Sequence, residues 1–512
     1  MATTADIERA LASLAERNDA LERENKILRE QLAALKQARF GRSTERTDAG
    51  QLGLFLDVVP SEDEDAGQSA PAPAATSGRK AKKGHGRAPF AADLPRRTID
   101  LDVPEADRLC PCCGKMMQLI GEDVTERGHV IPAQVVVNRY VRKKYACPDG
   151  HAVKSASAPE GVVEGAKYEA SVVAHIAAAK YSDHLPLHRL EGIFKRQGVH
   201  LPKQTMWDML VRLDEIVAQP VLRQMHLELL EEPVLHADET PITLCAENGK
   251  GSSKAYAFGW RNLREADSSK VLIDFRTSRG RDGPIGFLGE WSGTMIADGY
   301  SGYDEAVRRN GIVRAGCWAH ARRKLKQAME TGSPSAVRVF VHVQRLFWLE
   351  RAIKRRAERD GLVAEEREAL RARVRQERSR VVIERIYAAA GELAIQRSTL
   401  PKSKLGKALG YLDRQREELT VFLADARIPI HNNDSERDLR HLALGRNHWL
   451  VFASPRGGEV ACRLYSLVLS CRQSGVDPEA YLEDILAKVS TTPASQIASL
   501  TPWAWAKERQ QS

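Results

Sequence analysis

Ile7, Leu14, Leu21, Leu28 and Leu35 recur at every seventh residue, and Leu11, Asn18, Asn25 and Leu32 follow the first four by four residues. An apolar stripe with an average period of 3.5 drifts around a straight helix. It stays buried only if the helix supercoils around a partner. Leu at d with Asn at two a positions favours a parallel dimer in fixed register. The flanking charges agree, with Arg17 set against a partner's Glu22 and Glu24 against its Arg29. Residues 1–46 are therefore expected to be a coiled coil that makes the chain a homodimer.

The next stretch cannot build a core. Residues 47–104 carry Pro71-Ala72-Pro73-Ala74-Ala75 among Ser, Gly and charged residues, the composition of a linker. An acidic knot, Glu62 to Asp65, precedes a basic run of Arg79, Lys80, Lys82, Lys83 and Arg87. That run is expected to touch phosphates. The whole chain of 512 residues has a formal charge of +9, which favours a polyanionic partner such as nucleic acid. No apolar run reaches the 18 residues of a membrane span, and the N-terminus has no basic region leading into an apolar core. The expected location is the cytoplasm, with the nucleoid.

Four of the eight cysteines lie between Cys110 and Cys147, a clustering that points to metal rather than disulfides in a chain without an export signal. Cys110 and Cys113 have a two-residue gap, and Cys147 and His151 a three-residue gap. Four such ligands on two turns make a closed tetrahedral zinc site. Residues 105–152 are expected to be a small zinc-binding domain holding one structural Zn²⁺.

Residues 153–225 read as helices. Leu187, Leu190, Ile193 and Phe194 form a stripe, Gln197-Gly198 marks a turn, and Lys203, Gln204 and Thr205 open a second helix after Pro202. Helix, turn and helix is a shape that can enter a major groove, so those three residues are candidate DNA contacts. From about 226 the texture changes to short apolar strands: Val234 to Asp238, Ala255 to Trp260, Val271 to Phe275 and Thr294 to Asp298. Strands followed by helices imply a mixed α/β core, spanning 226–317 and 425–475. Residues 318–424, dense in Arg, Glu, Leu and Ala, read as a helical insertion, and 476–512 as a helical tail. The fold class is multidomain α+β.

Asp238 and Asp298 each end an apolar strand run, and Glu436 lies early in a helix. Three acids so placed could hold two Mg²⁺ or Mn²⁺ ions for phosphoryl transfer. Glu239, Asp274, Asp304, Asp434, Asp438 and Glu459 compete for the role on spacing alone.

Several motifs recur in order along the chain. They include Phe40-Gly41-Arg42-Ser43-Thr44-Glu45, Gly84-His85-Gly86-Arg87, the Cys110 knuckle, Lys144-Tyr145-Ala146-Cys147 and His236-Ala237-Asp238-Glu239-Thr240. Asp298-Gly299-Tyr300, Cys317-Trp318-Ala319-His320-Ala321-Arg322-Arg323-Lys324, Asn432-Asn433-Asp434-Ser435-Glu436-Arg437 and Gly445-Arg446-Asn447-His448-Trp449-Leu450 complete the series. In these the chain resembles the IS-sixty-six family of bacterial insertion-sequence transposases. The resemblance implies a ribonuclease-H-like core with a catalytic, metal-binding triad at Asp238, Asp298 and Glu436. It also implies DNA partners (insertion-sequence ends and target), and helper proteins are often encoded beside such transposases. Gly150 stands where the family has a cysteine, so His151 is taken as the fourth zinc ligand; His431 stands where it often has an acid. His320, Arg322 and Arg323 could meet phosphate or stabilise a pentacoordinate transition state, and Arg437 and Arg440 the DNA backbone. A catalytically inactive DNA-binding repressor and a metal-dependent nuclease of the same fold are the alternatives.

Overall fold

The computed structural model describes residues 134–146, 153–155, 167–245, 251–264, 268–449 and 451–511, with isolated positions 17, 18, 21, 22, 24, 25, 28, 29, 32, 98 and 112. The chain divides into two units, residues 47–134 and the remainder. The second is the one with described elements. Arg79, Lys80, Lys82, Lys83, Arg87, Cys110, Cys113, Cys147 and His151 lie outside the described residues. Within the heptad stretch the described positions are helical, and Leu21, Leu28 and Leu32 are more than half exposed.

Strands β1 (Lys144–Ala146) and β2 (Val153–Ser155) pair antiparallel, Lys144 opposite Ser155. Helices α1 (Ala170–Tyr181) and α2 (Leu187–Arg196) follow. The α2 stripe buries Leu190 and Phe194. Gly198 then takes a φ of +83°, which residues with a Cβ rarely adopt, and the chain turns into α3 (Lys203–Leu213). That helix continues through one wide π turn, Asp214–Ala218, into α4 (Gln219–Leu230). Pro220 accounts for the wide turn. It has no N–H to donate, its ring crowds the carbonyl four residues back, and a π bulge absorbs both. The turn carries buried Asp214, which accepts from Arg463 Nε and Nη2 at 2.7 and 2.8 Å.

The central sheet has five strands: β3 (Val234–Cys245), β4 (Ser252–Asn262), β5 (Val271–Arg276), β6 (Thr294–Ala297) and β7 (Val313–Gly316). Their spatial order is β5-β4-β3-β6-β7. β4 runs antiparallel to β3 and β5, whereas β3, β6 and β7 are mutually parallel. Helix α5 (Asp282–Leu288) lies between β5 and β6, and α6 (Asp304–Asn310) between β6 and β7. This confirms a mixed α/β core inside a mostly helical chain.

After β7 come α7 (Trp318–Glu330), α8 (Val337–Arg359), α9 (Ala364–Val374), a second π turn at Arg375–Ser379, α10 (Arg380–Ala394) and α11 (Lys404–Arg414). The chain returns to the sheet through α12 (Asn433–Trp449) and α13 (Pro455–Gln473), and ends in α14 (Pro478–Lys488) and α15 (Pro502–Gln511). Fully buried Arg375 fastens the return. Its Nε and Nη2 pair with Glu350 at 2.8 and 2.9 Å, and its Nη1 donates to the carbonyls of Phe422 and Ile428, each at 2.9 Å.

β5 is an edge strand, and α13 covers its free side. Ser466 Oγ accepts from Ile273 N–H at 2.8 Å. One turn later Ser470 Oγ accepts from Val271 N–H at 3.2 Å and donates to Val271 O at 3.0 Å. Backbone groups that would otherwise template a further strand are thereby satisfied within the chain.

Candidate carboxylate site

Side chains alternate across a strand, and the core divides accordingly. Leu235 and Ala237 of β3, with Met295 and Ala297 of β6, belong to the apolar cluster shared with α1, α3 and α13. Val234 and Ile296 belong to the cluster shared with α7, α8 and α11. Asp238 and Asp298 continue the second parity. In the parallel register His236 pairs with Ile296. Two residues further along each chain come Asp238, still within β3, and Asp298, the residue after the end of β6, close enough for the Asp298 charge to act on Asp238.

Glu436 arrives from the first turn of α12, and buried Asn432 sets where that helix begins. Its Oδ1 accepts from His236 Nδ1 and its Nδ2 donates to Ala237 O, both at 2.7 Å. Its backbone N–H donates to Cys317 Sγ at 3.2 Å, and its carbonyl accepts from Glu436 N–H at 3.2 Å. One residue thus ties together β3, the start of α7 and the start of α12. Burial pushes His236 down to about 4, so it is neutral near pH 7 and donates through Nδ1. Two further contacts seat α12. Arg261 Nη1 meets Asp438 Oδ2 at 2.8 Å in the protein interior. Gly259, opposite Asp238 in the ladder, leaves room for Leu439: a Cβ there would lie 3.0 Å from its side chain.

The electrostatics are those of a crowded carboxylate cluster. Asp238 is raised to about 8, first by burial and then by the charges of Glu239 and Glu436, with Asp298 contributing. Its Oδ1 accepts from Glu239 N–H at 3.0 Å, and Asp298 Oδ1 accepts from Tyr300 N–H at 2.9 Å. Glu436 Oε2 accepts from Arg323 at 3.0 Å. Glu436 Oε1 is buried with no hydrogen-bond partner among the described residues and faces His320 Nε2 at 3.6 Å. Burial lowers the His320 pKa despite the nearby Glu436.

The rival acids are engaged otherwise. Asp274 meets Arg276 at 2.7 Å, Asp304 meets Arg314 at 2.7 Å, Asp434 meets Arg437 at 3.0 Å, and Glu459 meets Arg463 at 3.8 Å. Asp438 holds Arg261. Glu239 pairs with Arg279, and its Oε2 accepts from Tyr303 at 2.8 Å.

Of the candidate DNA contacts, His320, Arg322 and Arg323 lie on α7 beside Glu436 or one turn from it. Arg437 and Arg440 are exposed on α12. Lys203 and Gln204 are exposed at the start of α3, where Gln204 donates to Asp208 at 2.9 Å. The sequence motifs contain Asn432, His236 and Cys317 without indicating a role for them, and Tyr411 lies outside those motifs. The Tyr411 hydroxyl is buried without a hydrogen-bond partner among the described residues, and its ring lies where a Cβ on Gly299 would come within 3.2 Å. Cys317 and His320 do carry a signal, the gap of a Cys-x-x-His ligand pair.

Residues 165–460 match the profile of the transposase IS66 family, and residues 107–149 that of the zinc-finger binding domain of transposase IS66. Residues 27–99 match a profile described as transposase C of IS166 homeodomain, and 466–503 the IS66 C-terminal element. The chain is 29% identical over 497 residues to uncharacterized protein y4hP of Sinorhizobium fredii (strain NBRC 101917 / NGR234), across 92% of this chain and 87% of that one. It is 33% identical over 435 residues to uncharacterized protein y4qI of the same organism, across 81% and 76% of the two chains.

Proposed function

The chain belongs to the transposase IS66 family, and from that premise we propose that it cuts DNA at insertion-sequence ends and joins them to target DNA through Asp238, Asp298 and Glu436. The observation that carries this is geometric. Asp238 in β3 and Asp298 just past β6 follow the parallel pairing of those strands at the same parity, and a glutamate is brought towards them by a helix anchored on β3, so that the charges of Glu436 and Asp298 both act on Asp238. The strand order, with β4 alone running against the other four strands, supports a ribonuclease-H-like core.

The residues fit a divalent metal. Three carboxylates offer hard oxygen donors, which suit Mg²⁺ or Mn²⁺. Burial raises Asp238, the charges of Glu239, Glu436 and Asp298 raise it further, and Glu436 Oε1 has no hydrogen-bond partner among the described residues. When bound, a pair of such ions supplies the activation of the attacking oxygen and the charge stabilisation that in-line displacement at phosphorus requires. Asp238 and Asp298 would hold the ions from the sheet and Glu436 from α12. Arg323 fixes the Glu436 carboxylate by pairing with its Oε2. The chemistry is hydrolysis of a phosphodiester at the element end, which frees a 3′-hydroxyl, and attack of that hydroxyl on a target phosphodiester.

DNA binding follows from the family. Phosphate contacts from Arg79, Lys80, Lys82, Lys83, Arg87, Lys203, Arg322, Arg437 and Arg440 would make it steeply salt-dependent. The exposed leucines of the heptad support a parallel homodimer, with helper proteins as further partners. Cys110, Cys113 and Cys147 fall within the zinc-finger match, and with His151 they would hold one zinc. No helix among the described residues is long and apolar enough to cross a membrane.

The test is cleavage and strand transfer on a duplex carrying the element's own end, with Mg²⁺, comparing wild type with Asp298→Ala. Products that need metal and vanish in the variant support the reading. A wild-type chain that binds the end but yields no product, even with its helper proteins added, is a DNA-binding relic.

A further inference from the structure

Glu436 also belongs to a second constellation. Cys317 follows β7, and His320 stands one helical turn on, in α7. The Cys317 sulfur, an imidazole nitrogen of His320 and a carboxylate oxygen of Glu436 all lie within 4.8 Å of one another. The 3.6 Å between His320 Nε2 and Glu436 Oε1 is too long for a hydrogen bond. It is close to a ligand-to-ligand edge in a tetrahedral zinc site, roughly 3.3–3.6 Å from bonds of ~2.0–2.3 Å. An independent observation points to the same gap: Glu436 Oε1 is buried and has no hydrogen-bond partner among the described residues.

The donor set differs in kind from that of Asp238 and Asp298. One thiol, one imidazole and one carboxylate suit a borderline-soft cation far better than Mg²⁺. Two of the three ligands come from a short segment around the start of α7, and the third from α12. Asn432 holds that pair of elements together through its bonds to Cys317 Sγ and to Glu436 N–H.

We propose that Cys317, His320 and Glu436 form a binding site for a thiophilic divalent cation of the zinc class, with its fourth position open. Binding replaces the thiol proton with the metal and releases that proton. If Glu436 serves the Mg²⁺ site as set out above, the two metals share a ligand. Zinc then withdraws Glu436 from the carboxylate cluster and inhibits strand transfer. This second part rests on the transposase reading; the binding itself does not.

Cobalt(II) is the probe, titrated into metal-free full-length chain. Wild type is compared with Cys317→Ala and with His320→Asn, the latter a partly exposed position whose replacement leaves the Cys317 packing intact. Wild type is expected to take up one more equivalent than either variant. The extra equivalent should carry a cobalt–thiolate charge-transfer band that is missing from Cys317→Ala. Excess Mg²⁺ should weaken that equivalent at least tenfold. Equal uptake by the three proteins overturns the site, and an extra equivalent indifferent to Mg²⁺ overturns the shared ligand. Because uptake is counted without DNA, a chain that binds the extra ion yet never cuts DNA sinks the transposase reading and leaves the metal site standing.

Discussion

Replacing Asn432 tests whether one buried amide positions the third carboxylate. Asn432→Ala removes two side-chain hydrogen bonds of 2.7 Å and leaves His236 Nδ1–H and Ala237 O without partners. Asn432 is fully buried and His236 only 1% exposed, so water cannot easily take over. A buried polar group left unpaired costs about 1–3 kcal/mol, and two of them about 2–6. A water admitted to the small void would recover part, which places the expected loss near 2–3 kcal/mol. The assay is urea unfolding followed by tryptophan fluorescence, with the transition midpoint falling by roughly 1 M at a slope near 2–3 kcal/mol/M. Asn432→Asp gives a sharper comparison. It keeps an acceptor for His236 but sets an acceptor against Ala237 O, so it should destabilise at least as much as alanine. Strand transfer in both variants should drop more than tenfold, because the start of α12 loses its tie to β3. An aspartate variant within about 0.5 kcal/mol of wild type would refute the argument.

Asp238 sets a pH dependence. Its folded-state value is raised to about 8, so in metal-free protein its contribution to stability is complete below about pH 4 and is lost as pH rises through about 8. Mg²⁺ must displace that proton below pH 8. Added Mg²⁺ should therefore raise the melting temperature more at pH 8.5 than at pH 6.5, and the reverse order would discard the carboxylate cluster as its site. Arg375→Met should destabilise the helices after β7 by about 2–4 kcal/mol, less than a wholly buried pair because Glu350 is partly exposed. Arg375→Lys should fail to rescue it in the same unfolding assay, since one ammonium cannot span both Glu350 and the carbonyls of Phe422 and Ile428. Ser466→Ala leaves Ile273 N–H unpaired at the sheet edge and should cost about 1–3 kcal/mol, with faster hydrogen exchange at that amide; unchanged exchange would argue against the pairing.

Local pattern made part of this fold legible. The apolar runs at 234–238, 255–260, 271–275 and 294–298 mark four strands of the sheet, because side chains a few residues apart report their own burial. β7 escaped, since Val313-Arg314-Ala315-Gly316 is four residues long and carries an arginine. The continuation of β3 through Glu239, Thr240 and Pro241 escaped too, because the β4 ladder holds those polar residues in place.

Within the candidate site, sequence alone could set Asp238 and Asp298 after apolar runs, but Asp238 lies inside β3, which continues to Cys245, and the sequence could not tell either from six rival acids. Asp238 and Asp298 share a parity beyond the register that pairs His236 with Ile296. Asp438 is bound by Arg261, 177 residues away in sequence. Asn432 reaches back 196 residues to His236, and Cys317 meets Glu436 only because α7 and α12 start at the same place. Helix and strand periodicity is written by neighbours within about seven residues. Metal-ligand geometry, buried ion pairs and hydrogen bonds between distant segments arise only when those segments pack, so the tertiary structure alone decided them.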